Sequence, residues 1–171
     1  MTATSAAHFA SICVCARCHV IDLGVATTPT AAVMTDHLAT RRPDQLVAGM
    51  ELTASHNPQQ WNGLKCLLRN DLGLFGSSAC APPAALAQQI VDRFRTGTIP
   101  NAPWDRLGTV ERDDTANIVH IERVLAALTD AGIAEDPQTL GEGLGVVLDS
   151  VNASGVEAGA TMLEQLGVQE T

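Results

Sequence analysis

Three short apolar runs, HVIDLG (19–24), QLVAGMEL (45–52) and LGVVLD (144–149), each stop at a polar loop. Helix-compatible stretches follow the first and the last of these loops. This strand–loop–helix rhythm points to the α/β class, where near-continuous apolar strands lie buried in a largely parallel sheet between helices. Composition agrees. Aromatic residues make up 3% of the chain and tyrosine is absent, so a core must be built from Ala, Val, Leu and Ile. A length of 171 residues, 46% of them hydrophobic, fits one ordinary domain or one domain and part of another.

The remaining elements follow from local signals. A helix is expected over residues 7–18. Pro29 suits the first turn of a second helix reaching about Leu38, and Pro43 stops it. LKCLL (64–68) reads as a further strand, residues 71–76 as a turn, and Pro82 to Arg95 as a helix. Residues 96–108, with their prolines and glycines, read as a linker. Asp114 or Thr115 can cap a helix over 116–131, with Ile118, Ile121, Val124, Leu125 and Leu128 inward and Glu122 and Arg123 outward. Ser154 can cap a last helix to Leu166, ended by Gly167. The strand after the linker has no later strand to pair with, so the chain reads as cut off.

Several function classes are disfavoured. A net charge of −9 argues against nucleic-acid binding, which needs a basic surface along the phosphates. No apolar run approaches the roughly 20 residues of a membrane span, and the N-terminus lacks the features of a signal peptide. Five cysteines, an odd number, indicate free thiols in a reducing compartment, read as the cytoplasm. Cys13, Cys15, Cys18 and His19 do not have a standard zinc spacing. Positions 13 and 15 of a helix point to nearly opposite sides, so these cysteines read as buried small hydrophobes. His37 and His120 read as surface or packing residues, and Asp149 and Asn152 as structural loop residues.

The segment Thr53-Ala54-Ser55-His56-Asn57-Pro58, followed by Trp61-Asn62-Gly63-Leu64-Lys65, carries the chemistry. It gathers a hydroxyl, an imidazole and an ammonium where a strand ends, which is where an open α/β sheet places ligand sites. Lys65 is the only lysine in the chain. Serine needs an activating neighbour to become a nucleophile. Phosphoryl transfer rests on positioning and charge stabilisation, and this segment supplies both. Pro58 stiffens the loop, and Asn57 and Asn62 favour turns. Gly63 is expected where a side chain would be forbidden. The same residues also read as a polar turn with a solvated lysine.

The string TASHNPxxxNGxK resembles the active-site loop of the α-D-phosphohexomutases, which include phosphoglucomutase, phosphomannomutase and phosphoglucosamine mutase. VIDLGVATTPT is similar to the segment that precedes that loop in the family, and VVLDSVNASG to the strand and small-residue loop that open the family's second domain. The resemblance implies a three-layer α/β/α fold with a mixed, mainly parallel sheet, truncated at both ends. It implies residues 1–98 as domain I lacking its first strands, a linker over 99–114, and an incomplete domain II over 115–171. In that second domain, a connecting helix precedes one strand–loop–helix unit. The implied activity is an isomerase reaction of carbohydrate metabolism, intramolecular phosphotransfer between the C1 and C6 positions of a hexose phosphate through a phosphoserine and a bisphosphate. Ser55 matches the phosphorylated serine, whose phosphate also ligates Mg²⁺. His56 matches a residue touching the phosphoryl group and Lys65 the general acid/base. Thr53, Asn57 and Asn62 fall in the substrate-binding loop. Phosphorylated hexoses are the implied partners.

The sequence departs from the family by lacking a D-G-D-x-D-R metal loop. The cluster Glu111-Arg112-Asp113-Asp114 has the wrong spacing. The chain is therefore expected to be inactive alone, and unpaired sheet edges are expected to favour self-association. The alternative function is a non-catalytic sugar-phosphate-binding or interaction remnant.

Overall fold

A computed structural model of the protein describes residues 3–69, 78–97 and 101–169. The turn expected at 71–76 lies outside them. In order, the elements are α1 (Ala3–Cys15), β1 (Val20–Asp22), α2 (Thr28–Arg41), β2 (Ala48–Thr53), β3 (Gly63–Leu68), α3 (Ala84–Thr96), β4 (Val110–Arg112), α4 (Ala116–Asp130) and α5 (Gly155–Gln165). The α/β class expected from the sequence is the one observed. The chain divides into two units, one of Met1–Asp22 with Thr35–Asp113 and one of Leu23–Met34 with Asp114–Thr171.

In the first unit, β2 and β3 pair antiparallel from Ala48↔Leu68 to Thr53↔Gly63. Their side chains alternate between faces. Gly49, Glu51 and Thr53 share one face with Gly63, Lys65 and Leu67. Met50, Leu52, Leu64, Cys66 and Leu68 share the other, where Met50 and Leu64 stay exposed. Leu67 is buried, as are Thr35 and Ala39 on the second half of α2. Asp36 Oδ1 accepts the Ala79 N–H at 2.9 Å, and Arg69 donates to Thr40 Oγ1 at 3.1 Å. These bonds tie the end of β3 and the segment after it to α2.

β1 pairs in parallel with β4, Val20↔Val110 to Asp22↔Arg112. The stretch expected to link thus contains a strand. The Arg112 guanidinium lies 3.5 Å from the Asp22 carboxylate on the last rung. Both side chains are half exposed, so the pair adds little stability. Gly108 opens β4 by passing against the Cys18 carbonyl, a position that a Cβ would occupy.

In the second unit, Thr30, Ala31, Met34, Ala116 and Ile121 are buried. Thr27 and Thr30 hydroxyls lie 2.8 Å apart, and Thr30 Oγ1 lies 3.0 Å from His120 Nδ1. His120 is therefore a hydrogen-bonded packing residue rather than a surface one. Ile118, expected inward, is 54% exposed. Thr115 and Ser154 occupy the N-cap positions of α4 and α5, yet neither side chain makes a capping hydrogen bond. Gly167 ends α5 with φ +80, and the Val168 N–H reaches Leu163 O at 3.0 Å.

Residues 144–149 form no strand. Their apolar run has the composition of one, but a strand exists only when a neighbour shares its ladder. Val147 is 95% exposed. Asp149 Oδ1 accepts the Val151 N–H at 2.9 Å, the structural role expected of it. No helix among the described residues is long and apolar enough to cross a membrane.

Candidate active site

The site residues lie on the β2–β3 hairpin and its connection. Thr53 ends β2 on the rung it shares with Gly63. Its hydroxyl accepts the Ser55 N–H at 2.9 Å, bridging two residues along the chain. Asn57 N–H then reaches back to Ala54 O at 3.0 Å, closing a four-residue turn. Ser55 is the first central residue of that turn and has φ +58. Left-handed backbone costs an L-residue about 1–2 kcal/mol, so the two hydrogen bonds offset a strained geometry. The outcome is a serine displayed at an exposed turn.

His56 follows directly. Its Nδ1 stands 3.4 Å from Ser55 Oγ, a loose contact of the kind that tightens on substrate binding. Trp61 N–H bonds to Pro58 O at 2.9 Å, closing a turn of 3-10 helix over Gln59–Trp61 that leads into Asn62. Asn62 is extended, with φ −53 and ψ 135, and returns the chain to β3.

Lys65 sits two residues into β3, opposite Glu51 and on the same face as Thr53. At about 3.3 Å per strand residue, its Cα lies roughly 7 Å below the mouth of the hairpin. That is within the span of a lysine side chain directed along the strand toward the loop. The hairpin therefore brings Ser55, His56 and Lys65 to one end of one element. Thr53 contributes through the backbone of Ser55, and Asn57 through its own N–H. Ser55, His56, Asn57, Asn62 and Lys65 are all exposed, so the arrangement is open to solvent.

Two residues depart from the sequence reading. Gly63 has no positive φ, and a Cβ there would meet nothing within 4 Å, so no steric demand fixes glycine. Glu51 belongs to no motif, but the alternation of GMELT puts it on the Thr53 face, and the register sets it directly across from Lys65.

The thiols differ from expectation as well. Cys15 and Cys18 are exposed rather than buried, because α1 ends in a surface turn, and Cys80 is exposed as well. Cys13 and Cys66 are half-buried, and burial pushes the Cys66 thiol upward. The Mg²⁺ implied by the resemblance requires an octahedral set of oxygens. No three His, Cys, Asp or Glu side chains gather into a metal-holding group among the described residues, and the loop offers one serine oxygen. That donor set does not fit the ion.

Residues 2–96 match the family described as phosphoglucomutase/phosphomannomutase, alpha/beta/alpha domain I. A probable phosphoglucosamine mutase of Methanopyrus kandleri is 30% identical over 152 residues, which is 89% of this chain and 28% of that protein. A phosphoglucomutase/phosphomannomutase of Thermococcus kodakarensis is 31% identical over 97 residues, 57% of this chain and 18% of its own length. A phosphoglucosamine mutase of Levilactobacillus brevis is 30% identical over 137 residues, 79% of this chain and 25% of its own length. The chain belongs to the phosphoglucomutase/phosphomannomutase family. It spans less than a third of the length of these curated relatives.

Proposed function

We propose that this chain carries the phosphoserine segment of a phosphohexomutase acting on hexose phosphates in a reducing, cytoplasmic setting. Residues 1–98 serve as the domain that presents the serine, 99–114 as a connection and 115–171 as part of a second domain. Ser55 holds the phosphoryl group and His56 contacts it. Lys65 exchanges protons with the sugar hydroxyl, and Thr53, Asn57 and Asn62 shape the loop that meets the sugar phosphate.

In the transfer step, the bond from Ser55 Oγ to phosphorus breaks as the sugar oxygen–phosphorus bond forms. The sugar hydroxyl proton leaves through Lys65, and a proton returns to Ser55 Oγ with His56 at its side. Reversal from a hexose bisphosphate rephosphorylates Ser55. A lysine suits this exchange better than an arginine, whose pKa above about 12 keeps it charged.

The observation that carries this reading is the strained, solvent-facing Ser55 with His56 Nδ1 3.4 Å from its hydroxyl. A serine held at φ +58 by its neighbours is placed for contact outside the chain. Phosphoryl exchange between Ser55 and a bisphosphate is the part of the mutase reaction that the residues of this segment would serve.

The test is intact mass before and after incubation with glucose 1,6-bisphosphate. One phosphoryl group gained at Ser55, and not gained by Ser55→Ala, is the expected result. An unchanged mass under folded conditions rejects the phosphoenzyme reading.

A further inference from the structure

We propose that Cys13 and Cys18 form a reversible dithiol–disulfide site at the C-terminal end of α1, oxidised by low-molecular-weight disulfides.

The geometry comes from how α1 stops. Arg17 takes φ +66, its N–H bonds to Val14 O at 3.1 Å, and the Cys18 N–H bonds to Cys13 O at 2.9 Å. These are the two hydrogen bonds of a Schellman helix end, and in that motif the side chains now occupied by Cys13 and Cys18 meet. The Cys18 to Cys13 bond holds the two Cα atoms within about 6.8 Å, given standard backbone dimensions. Disulfides form at Cα separations of about 4.4–6.8 Å. The Cys18 thiol turns back onto the helix end, 3.9 Å from Ala16 O.

The other thiols are arranged differently. Cys15 lies on another side of α1, where it lines a cavity of about 530 Å³ with His8, Ser11 and Ile12. Cys66 donates to Met50 Sδ at 3.7 Å across the β2–β3 hairpin. Burial pushes the Cys13 thiol pKa up, with a smaller upward contribution from Cys18.

Cys18 is exposed and Cys13 half-buried, which orders the steps. The Cys18 thiolate attacks a small disulfide, forming a mixed disulfide and releasing one small thiol. Cys13 then attacks Cys18 Sγ and releases the second. The protein dithiol loses two electrons and two protons, and the small disulfide becomes two thiols. Excess small thiol reverses both steps.

Cleavage after Arg17 and Arg41 separates the two cysteines into peptides 1–17 and 18–41. Folded full chain treated with oxidised glutathione should yield these peptides joined through Cys18 when digested without reductant, the joined pair two hydrogens lighter than its two parts. Cys15→Ser should keep the join. Cys13→Ser should abolish it and leave one glutathionyl group on Cys18. Three results would overturn the proposal. One is a join persisting at wild-type yield in Cys13→Ser, and another is wild-type protein that stops at mixed disulfides. The third is an equal preference for Cys13 over Cys15 in denaturant, which would trace the pairing to spacing along the chain and not to the folded helix end.

Discussion

The Thr53 hydroxyl accepts the Ser55 N–H at 2.9 Å, and Ser55 stands at φ +58. The strand's last residue therefore sets the backbone of the candidate phosphoacceptor. Thr53→Val keeps the shape and removes the acceptor. A hydrogen bond of this kind contributes about 1 kcal/mol. Faster amide exchange at Ser55 and Asn57 is expected, together with slower gain of phosphoryl from glucose 1,6-bisphosphate. Thr53→Ser should restore both, and unchanged exchange in Thr53→Val would show that the turn stands without this bond.

Ser55 itself separates stability from chemistry. Both Ser55→Ala and Ser55→Gly delete the phosphoacceptor. Glycine adopts positive φ freely, whereas alanine keeps the strain. Ser55→Gly should be more stable than Ser55→Ala by about 1 kcal/mol, measured by urea unfolding. Equal midpoints would mean that the turn relaxes when the side chain goes.

Burial lowers the His120 pKa from its ordinary value of 6.5. The unfolded chain therefore takes up a proton at a higher pH than the folded one. The stability linked to His120 is complete above pH 6.5 and is lost as pH falls from there through the folded-state value. Protonation also makes Nδ1 a donor, so Thr30 Oγ1 must then accept from it and turn its own proton toward Thr27. Urea midpoints followed by helix circular dichroism between about pH 7 and about pH 5 should fall on acidification. His120→Gln should flatten that slope, and a slope unchanged in the variant would assign it to other groups.

Two glycines test the steric reading of the hairpin and the β1–β4 pair. A Cβ on Gly63 meets open space, so Gly63→Ala should change stability by no more than about 0.5 kcal/mol. A Cβ on Gly108 would fall on the Cys18 carbonyl, and Gly108→Ala should destabilise by about 2 kcal/mol or more. Thermal unfolding of the two variants checks both. A large loss at Gly63 would contradict the open side of β3.

Much of the architecture is legible locally. Pro43 foretells the end of α2, Gly167 the end of α5, and the polar TASHNP segment the loop between two strand-forming runs. Other elements have no local signature. Val110-Glu111-Arg112 is short and charged, and it becomes a strand only because β1 lies beside it. LGVVLD looks more like a strand than β4 does, yet it forms none, because a strand needs a ladder shared with a neighbour. At the site, the residue types announce phosphoryl chemistry, but the φ of Ser55 and the backbone role of Thr53 do not follow from composition. Gly63 shows the converse, a glycine that suggests a constraint the backbone does not impose.

The sequence by itself determined the chemical inventory, one serine beside one histidine with the chain's single lysine ten residues on, and the two strand-forming runs on either side of their loop. Strand-forming runs and turn residues are encoded locally, whereas the antiparallel pairing of β2 with β3 is a feature of the folded unit. Tertiary structure decided the partners separated by 90 residues, His19 with Thr109 and Thr30 with His120. Contacts at that separation depend on closing a long loop, whose outcome is set by the packing of the whole unit and not by any local pattern.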